Sequence, residues 1–407
     1  MSPEQGSAAA TLVVREHATV EATLTAELAS AIHADGHLRV APLGPGRFLL
    51  RARGKVGVVR YGDLEVRIVP KVPIGRLLHL AAHGRLDAAW RDLDTRLGGI
   101  DDPRSALAHV LVWHVERAFR PTPIQGYRTE ESAEYHLRGR VLFERQIARR
   151  AGVLMPVELR HDEFDTDIIE NRVLLAALRR VDPAVGDPAL AHALDRLRHA
   201  LDGVRPWPAG CPVPEIPWTR LNLRYRPAIR LARLLLDHGS VELEGHAIDG
   251  RGFLLDMPSV FESFLTVALA DALERFGGEV RAQYRTALDE DDEVVMRPDI
   301  TWWRDGCCRA VVDAKYKRVS GSSEPNADVY QMLAYCTRLG LDEGWLVYAD
   351  LDGGSPTSRR IRKAGVTVYV VAIDLGGSIE RLQDSVALLA GRLVTGCTPS
   401  GRMRAGE

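Results

Sequence analysis

The chain has 407 residues, with 53 basic and 55 acidic side chains and a formal net charge of -2. That length allows two or three domains, each able to bury a core. The charge balance excludes a protein that coats nucleic acid by overall positive charge, so any such contact must use local patches.

Residues 1–10 read as disordered. From 18 to 78, alternating stretches such as 47–53 (RFLLRAR) and 64–70 (LEVRIVP) predict strands, with one helix near 23–33. Residues 1–100 are therefore expected to form a β-rich N-terminal domain. Residues 101–240 are expected to be a mostly helical middle region. Its first helix, over 103–120, carries Leu107, Val110, Leu111, His114 and Val115 on one side, and His114 there reads as a packed histidine. Residues 135–202 look mixed and then helical, with a strong helix over 171–181 that the segment 165–172 would cap and anchor. Five prolines from Pro206 to Pro217 predict a stiff connector, and a helix over 226–238 follows. Residues 241–395 are expected to form a third domain, a mixed sheet flanked by helices. Its late strands fall at 345–349 and 366–373, and a closing helix covers 379–393 before a tail over 396–407. The fold class expected is α/β, α+β over the whole chain.

Five cysteines, an odd number with no C-x-x-C pair, fit neither a disulfide framework nor a zinc site. They suit a reducing cytoplasm. No signal pattern opens the chain and no apolar run approaches membrane-spanning length. A soluble, cytoplasmic protein without a membrane partner is expected.

The most informative stretch is 258–335. Residues 294–303 (VVMRPDITWW) and 307–316 (CCRAVVDAKY) are rich in β-branched and aromatic residues, and Arg304-Asp305-Gly306 between them is turn chemistry. The pair predicts a hairpin. Side chains alternate along a strand, so Asp313 and Lys315 point to one face, where Asp299 on the partner strand can join them. Asp256-Met257-Pro258 opens a helix that Gly277-Gly278 closes, and Glu262 lies beside its apolar stripe. A second helix, over 326–339, sets Gln331 and Tyr335 at i and i+4 on one face. Carboxylate oxygens converging on one point suit Mg²⁺, which polarises a phosphate and lowers the pKa of bound water. Lys315 would orient that water or stabilise developing negative charge. An Asp-x-Lys triplet alone is common, and a Gln with a Tyr one turn later is often surface decoration. The ordered set of helix, hairpin and helix is what carries the reading.

Lysine usage points the same way. Only five of the 53 basic residues are lysine, namely Lys55, Lys71, Lys315, Lys317 and Lys363. Positions content with any positive charge are arginine, so a remaining lysine marks a need for a compact, mobile ammonium.

Glu262, Arg297-Pro298-Asp299, Asp313-Ala314-Lys315 and Gln331-x-x-x-Tyr335 together resemble the PD-(D/E)xK nuclease superfamily, in its variant with a Q-x-x-x-Y helix. The resemblance extends upstream. Residues 56–64 (VGVVRYGDL), 70–73 (PKVP), 137–140 (LRGR), 165–172 (DTDIIENR) and 253–257 (FLLDM) are similar, in order, to the McrC family, the nuclease subunits of McrBC modification-dependent restriction systems. The resemblance implies a PD-(D/E)xK endonuclease domain at 241–395 that cuts DNA, with Asp299, Asp313 and Glu262 on Mg²⁺ (Mn²⁺ able to substitute). It gives Lys315, Gln331 and Tyr335 as further catalytic residues. It also implies that the N-terminal region engages and stimulates a separate McrB-like AAA+ GTPase. The chain has no G-x-x-x-x-G-K-[ST] phosphate loop of its own, so a nucleotide-driven motor would have to be such a partner.

Two arginine-rich stretches, 138–160 and 205–233, are open to two readings, phosphate contact or an ordinary solvated face. Two further functions stay open beside the restriction subunit. One is a standalone nuclease of the same superfamily acting in DNA repair or processing. The other is a non-catalytic scaffold that regulates an AAA+ ring.

Overall fold

The structure, a computed structural model, describes residues 10–72, 74–83, 103–181, 187–243, 250–316, 326–350 and 356–396. The disorder expected at the N-terminus and the expected C-terminal tail lie, but for one residue each, outside these. The fold is mixed α/β, and the chain forms two compact units, residues 1–107 with 238–407 and residues 108–237.

The first unit is built from both ends of the chain. A five-stranded sheet runs, in spatial order, Ala10–Arg15, Leu64–Val69, Lys55–Tyr61, Gly250–Asp256 and Gly239–Leu243. Beside it in sequence, Thr19–Thr23, Arg47–Ala52 and Leu38–Gly44 make a three-stranded sheet. The helix expected near 23–33 begins at Ala26, because the Thr25 hydroxyl accepts from the Leu28 N–H at 3.2 Å and caps it there.

The strand Gly250–Asp256 ties the N-terminal sheet to the helix that carries Glu262. It pairs antiparallel with Lys55–Tyr61, Asp256 opposite Lys55, and runs straight into the helix Met257–Leu273. Asp256 caps that helix by accepting from the Ser259 N–H at 3.1 Å, and Pro258 occupies the first turn where its missing donor costs nothing. The helix buries Phe261, Phe264, Leu265, Leu269 and Leu273.

A six-stranded mixed sheet runs Glu279–Ala282, Ile300–Arg304, Cys307–Lys315, Glu343–Asp350, Thr367–Asp374, Thr357–Arg360. Its three central strands are parallel to one another and its outer pairings are antiparallel. The hairpin turns on Asp305 and Gly306, both at positive φ (52° and 75°), the two-residue geometry that Asp-Gly favours. The helix Asn326–Leu339 packs Met332, Tyr335 and Cys336 into a core with Val311, Leu346, Tyr348 and Val368. Burial of this apolar surface, about 1.5–3 kcal/mol for each large side chain, fixes the helix against the sheet.

The second unit holds the helices Phe143–Arg150, Ile169–Arg180, Pro188–His199 and all but the last residue of Arg226–His238. It also holds a sheet that the sequence does not announce: Gly126–Glu134 pairs along its whole length with Val157–Asp165. These strands are charged and nearly free of β-branched residues. Cross-strand ion pairs support them instead, among them Arg128 with Asp165 (3.0 Å) and Arg128 with Glu163 (3.4 Å). The segment 165–172 anchors its helix as expected but does not cap it, since the capping position is Ile168, with no side-chain hydrogen bond. Asp167 takes Arg172 at 2.6 Å and Arg205 at 2.9 Å, and Asn171 donates to the Ile124 and Thr166 carbonyls. The proline segment forms no regular element. His114 is buried and edge-on to Trp113, as a packed histidine.

Candidate active site

The six residues singled out in the sequence come together at the C-terminal end of Cys307–Lys315. Asp313 and Lys315 share a face of that strand and form an ion pair. Asp299 lies one residue before the strand Ile300–Arg304 rather than on it, and its Oδ2 accepts from the Ala314 N–H at 2.8 Å. Backbone thus holds one carboxylate beside the other. Glu262 comes from the helix, and the Gln283 side-chain amide bridges it to Asp299, donating to Glu262 Oε1 and, at 3.0 Å, to Asp299 Oδ1.

A relay of hydrogen bonds runs out from the lysine. Lys315 Nζ donates to Gln331 Oε1 at 2.9 Å, Gln331 Nε2 donates to the Tyr335 hydroxyl at 2.7 Å, and that hydroxyl donates to the Arg297 carbonyl at 3.3 Å. Glutamine and tyrosine one turn apart therefore tie the ammonium to the Arg297-Pro298-Asp299 segment. Both amide ends of Gln331 are satisfied, which sets its orientation.

Sequence reasoning missed two participants. Gln283 follows the strand Glu279–Ala282 with φ at 47°, a strained conformation for a residue other than glycine. Nothing in a lone glutamine between strands announces that role. Asp328 is buried, its Oδ2 accepts from the Tyr348 hydroxyl at 2.6 Å, and its Oδ1 lies 4.0 Å from Lys315 Nζ. With Gln331 and Tyr335 it makes an i, i+3, i+7 stripe, a spacing that could have exposed it.

The electrostatics are those of surplus negative charge. Asp313 is 1 % exposed, and its Oδ2 has no hydrogen-bond partner in acceptable geometry despite the contact with Lys315. Burial and the neighbouring Asp299 push its pKa up to about 7. Burial likewise raises Asp299, assisted by Glu262, and raises Glu262 itself, assisted by Asp313. Burial pulls the lysine down, but attraction to Asp313 wins and its pKa ends above the ordinary value. Four acids, counting Asp328, face one ammonium, and such a set could hold a further cation. Hard oxygen donors of this kind fit Mg²⁺ or Mn²⁺.

Among the described residues the tightest set of metal-capable side chains lies elsewhere. Ligand atoms of Glu130, His161 and Glu163 sit within 4.8 Å of one another. Arg128 pairs with Glu130 at 2.8 Å and Glu163 at 3.4 Å, and Arg138 pairs with Glu163 at 2.9 Å. Those carboxylates are already neutralised, as parts of the ion-pair network that supports the sheet. The same holds for much of the arginine-rich stretch 138–160, where Arg138, Arg145, Arg150 and Arg160 each meet a glutamate. In 205–233, Arg205, Arg224 and Arg233 are engaged with Asp167 and with backbone carbonyls.

Fold and site define a mixed α/β protein with a partly buried carboxylate–lysine cluster at the end of a central strand. The model of the McrBC 5-methylcytosine restriction system component family matches residues 50–349, a stretch that includes every residue of the cluster. The chain belongs to this family. No curated protein matches it. Among solved structures it is similar to the refined half-complex from the tetradecameric assembly of Thermococcus gammatolerans McrB AAA+ hexamers with bound McrC. There the identity is 17 %, the TM-score is 0.49, and 93 % of this chain and 100 % of that chain are covered. It is also similar to the cryo-EM structure of the T. gammatolerans McrBC complex, with 19 % identity and a TM-score of 0.39, over 65 % of this chain and 88 % of that one. No helix among the described residues is long and apolar enough to cross a membrane.

Proposed function

We propose that the chain is the McrC-type subunit of a modification-dependent restriction system, a divalent-cation-dependent DNA endonuclease of the PD-(D/E)xK kind working in the cytoplasm with a McrB-like AAA+ GTPase. The observation that carries this reading is the pair of buried Asp313 and half-buried Lys315, joined by Asp299 through the Ala314 N–H and by the Gln331–Tyr335 relay. Asp299 and Asp313, completed by Glu262, are the residues that would hold Mg²⁺. When bound, the cation supplies Lewis-acid polarisation of the scissile phosphate and a water of lowered pKa.

The chain's own residues do the rest. Lys315, kept charged by Asp313, stands where it orients the attacking water and offsets negative charge as the phosphorus–oxygen bond forms. Gln331 and Tyr335 fix the ammonium so that little reorganisation is needed at the moment of reaction. Asp328 adds a further acid near Lys315. Uncovered apolar side chains in the second unit, among them Tyr127 and Phe164 tilted against each other across the strand pair with ring centroids 5.0 Å apart, support a protein partner.

The test is cleavage of methylated and unmethylated plasmid with Mg²⁺, with and without the AAA+ partner and GTP. Lys315→Ala and Asp313→Ala are expected to lower cutting at least about 100-fold, with the circular-dichroism spectrum and partner binding unchanged. Cutting by either variant at the native rate overturns the assignment. Cutting without the partner would make the chain a standalone nuclease, and GTPase stimulation without any cutting would make it a scaffold.

A further inference from the structure

A second buried polar cluster lies in the first unit, behind the strand that carries the lysine. Glu16 follows the strand Ala10–Arg15, and its N–H donates to the Val69 carbonyl at 2.9 Å. The residue is 6 % exposed. Oε2 accepts from the Tyr316 hydroxyl at 3.0 Å and from the Lys71 N–H at 3.3 Å, while His17 Nε2 lies 3.5 Å from Oε1. The Lys71 ammonium sits 4.4 Å from the centre of the Tyr316 ring, within cation–π reach.

Burying a carboxylate with only partial compensation is costly, so its persistence here calls for a function. Tyr316 supplies one. It directly follows Lys315, the last residue of the strand, whose ladder partner is Tyr348. Alternation turns Tyr316 to the opposite face of the strand from Lys315. There its ring packs on Phe261, centroids 6.0 Å apart, and Phe261 directly precedes Glu262. One aromatic ring is therefore adjacent in sequence to the lysine and adjacent in space to the residue before the glutamate. Glu16 and Lys71, from the N-terminal sheet, grip that ring by its hydroxyl and its face.

We infer that Glu16, Lys71 and Tyr316 are positioning residues that lock the end of the strand and the helix Met257–Leu273, and thereby set Lys315 and Glu262 for phosphodiester cleavage. The inference rests on the nuclease reading above, and it assigns Lys71 of the Pro70-Lys71 pair a role inside this chain. None of the three touches the reacting atoms. Removing the Tyr316 hydroxyl releases the ring from Glu16 while leaving the Phe261 contact. A displacement of about an ångström at the lysine is enough to cost on the order of 10–100-fold in rate.

The experiment compares Tyr316→Phe, Glu16→Leu and Glu16→Gln with the wild type and Lys315→Ala in the plasmid assay. Each variant is also labelled with [ε-¹³C]lysine, where five lysines give few enough signals to assign. Tyr316→Phe and Glu16→Leu are expected to lower kcat roughly 10-fold or more with KM for DNA within about 2-fold, and to move the Lys315 signal. Glu16→Gln, whose amide oxygen still accepts from Tyr316 and Lys71, is expected to keep kcat within about 3-fold and leave that signal in place. If Lys315→Ala stops cleavage while Tyr316→Phe and Glu16→Leu cut at the native rate with the signal unmoved, the inference fails and the nuclease reading stands. Equal loss in Glu16→Gln and Glu16→Leu, or loss through KM alone, also overturns it. If Lys315→Ala cuts normally, the nuclease reading fails, and the lysine signal still decides whether the cluster positions Lys315.

Discussion

Asp313 has the most sharply defined environment of any site residue. Burial and the adjacent Asp299 hold its folded-state pKa at about 7, against an ordinary value of 3.8. Between those values the folded protein binds a proton that the unfolded chain has released, so stability falls as pH rises from about 4 to 7. One titrating group makes that slope at most about 1.4 kcal/mol per pH unit. In EDTA, the wild type is expected to lose thermal stability across pH 5–8 more steeply than Asp313→Asn, which should melt higher at pH 8. Parallel slopes would show that Asp313 does not titrate in this way. Gln283 carries a second expectation. Its amide is the neutral link between Glu262 and Asp299, so Gln283→Ala should lower stability by about 1 kcal/mol without divalent cation. Added Mg²⁺ should then raise the melting temperature of the variant by more than that of the wild type. Equal shifts in calorimetry would refute this.

Among elements, the helix Ile169–Arg180 shows how charge substitutes for a cap. Asp167 is nearly buried. Burial pushes its pKa up, but hydrogen bonds from Arg172 and Arg205 overcome this and hold it well below the usual carboxylate range. A depressed folded-state value means the stabilisation is complete above the unfolded value near 4 and disappears as pH falls below it. Asp167→Asn should therefore cost about 2–3 kcal/mol at pH 7 and progressively less below pH 4. Chemical denaturation of the two proteins at pH 7 and pH 3 measures this, and a constant difference would show that the carboxylate charge is not what anchors the helix. The hairpin makes the contrasting case. There Asp305 and Gly306 accept positive φ and local turn chemistry sets the pairing beside the turn, up to a bulge between Trp302 and Trp303 that shifts the register by one residue.

At the scale of the molecule, the five-stranded sheet joins chain segments some two hundred residues apart. Gly250–Asp256 pairs with Lys55–Tyr61 and leads into the helix of Glu262, so the start of that helix is set by N-terminal residues. A fragment of residues 241–395 alone is expected to show no cooperative melting transition, because this strand loses its neighbour and Tyr316 loses Glu16. A sharp calorimetric transition from that fragment would show that the N-terminal sheet is dispensable to the site.

The letters themselves carried the site's composition. Asp313 and Lys315 share a face because a strand has period two, and Gln331 and Tyr335 share one because a helix has period 3.6. Such short-range geometry is readable without coordinates, and so were the Asp-Gly turn and the Asp256 cap. Only the tertiary structure decided that Asp299 sits just off its strand, that Gln283 bridges two acids, and that Asp328 approaches the lysine. It also decided that Glu16 reaches Tyr316 across three hundred residues, and that charged segments in the second unit pair as strands. These contacts depend on which segments meet, and segments meet through the packing of whole elements, which no local periodicity encodes.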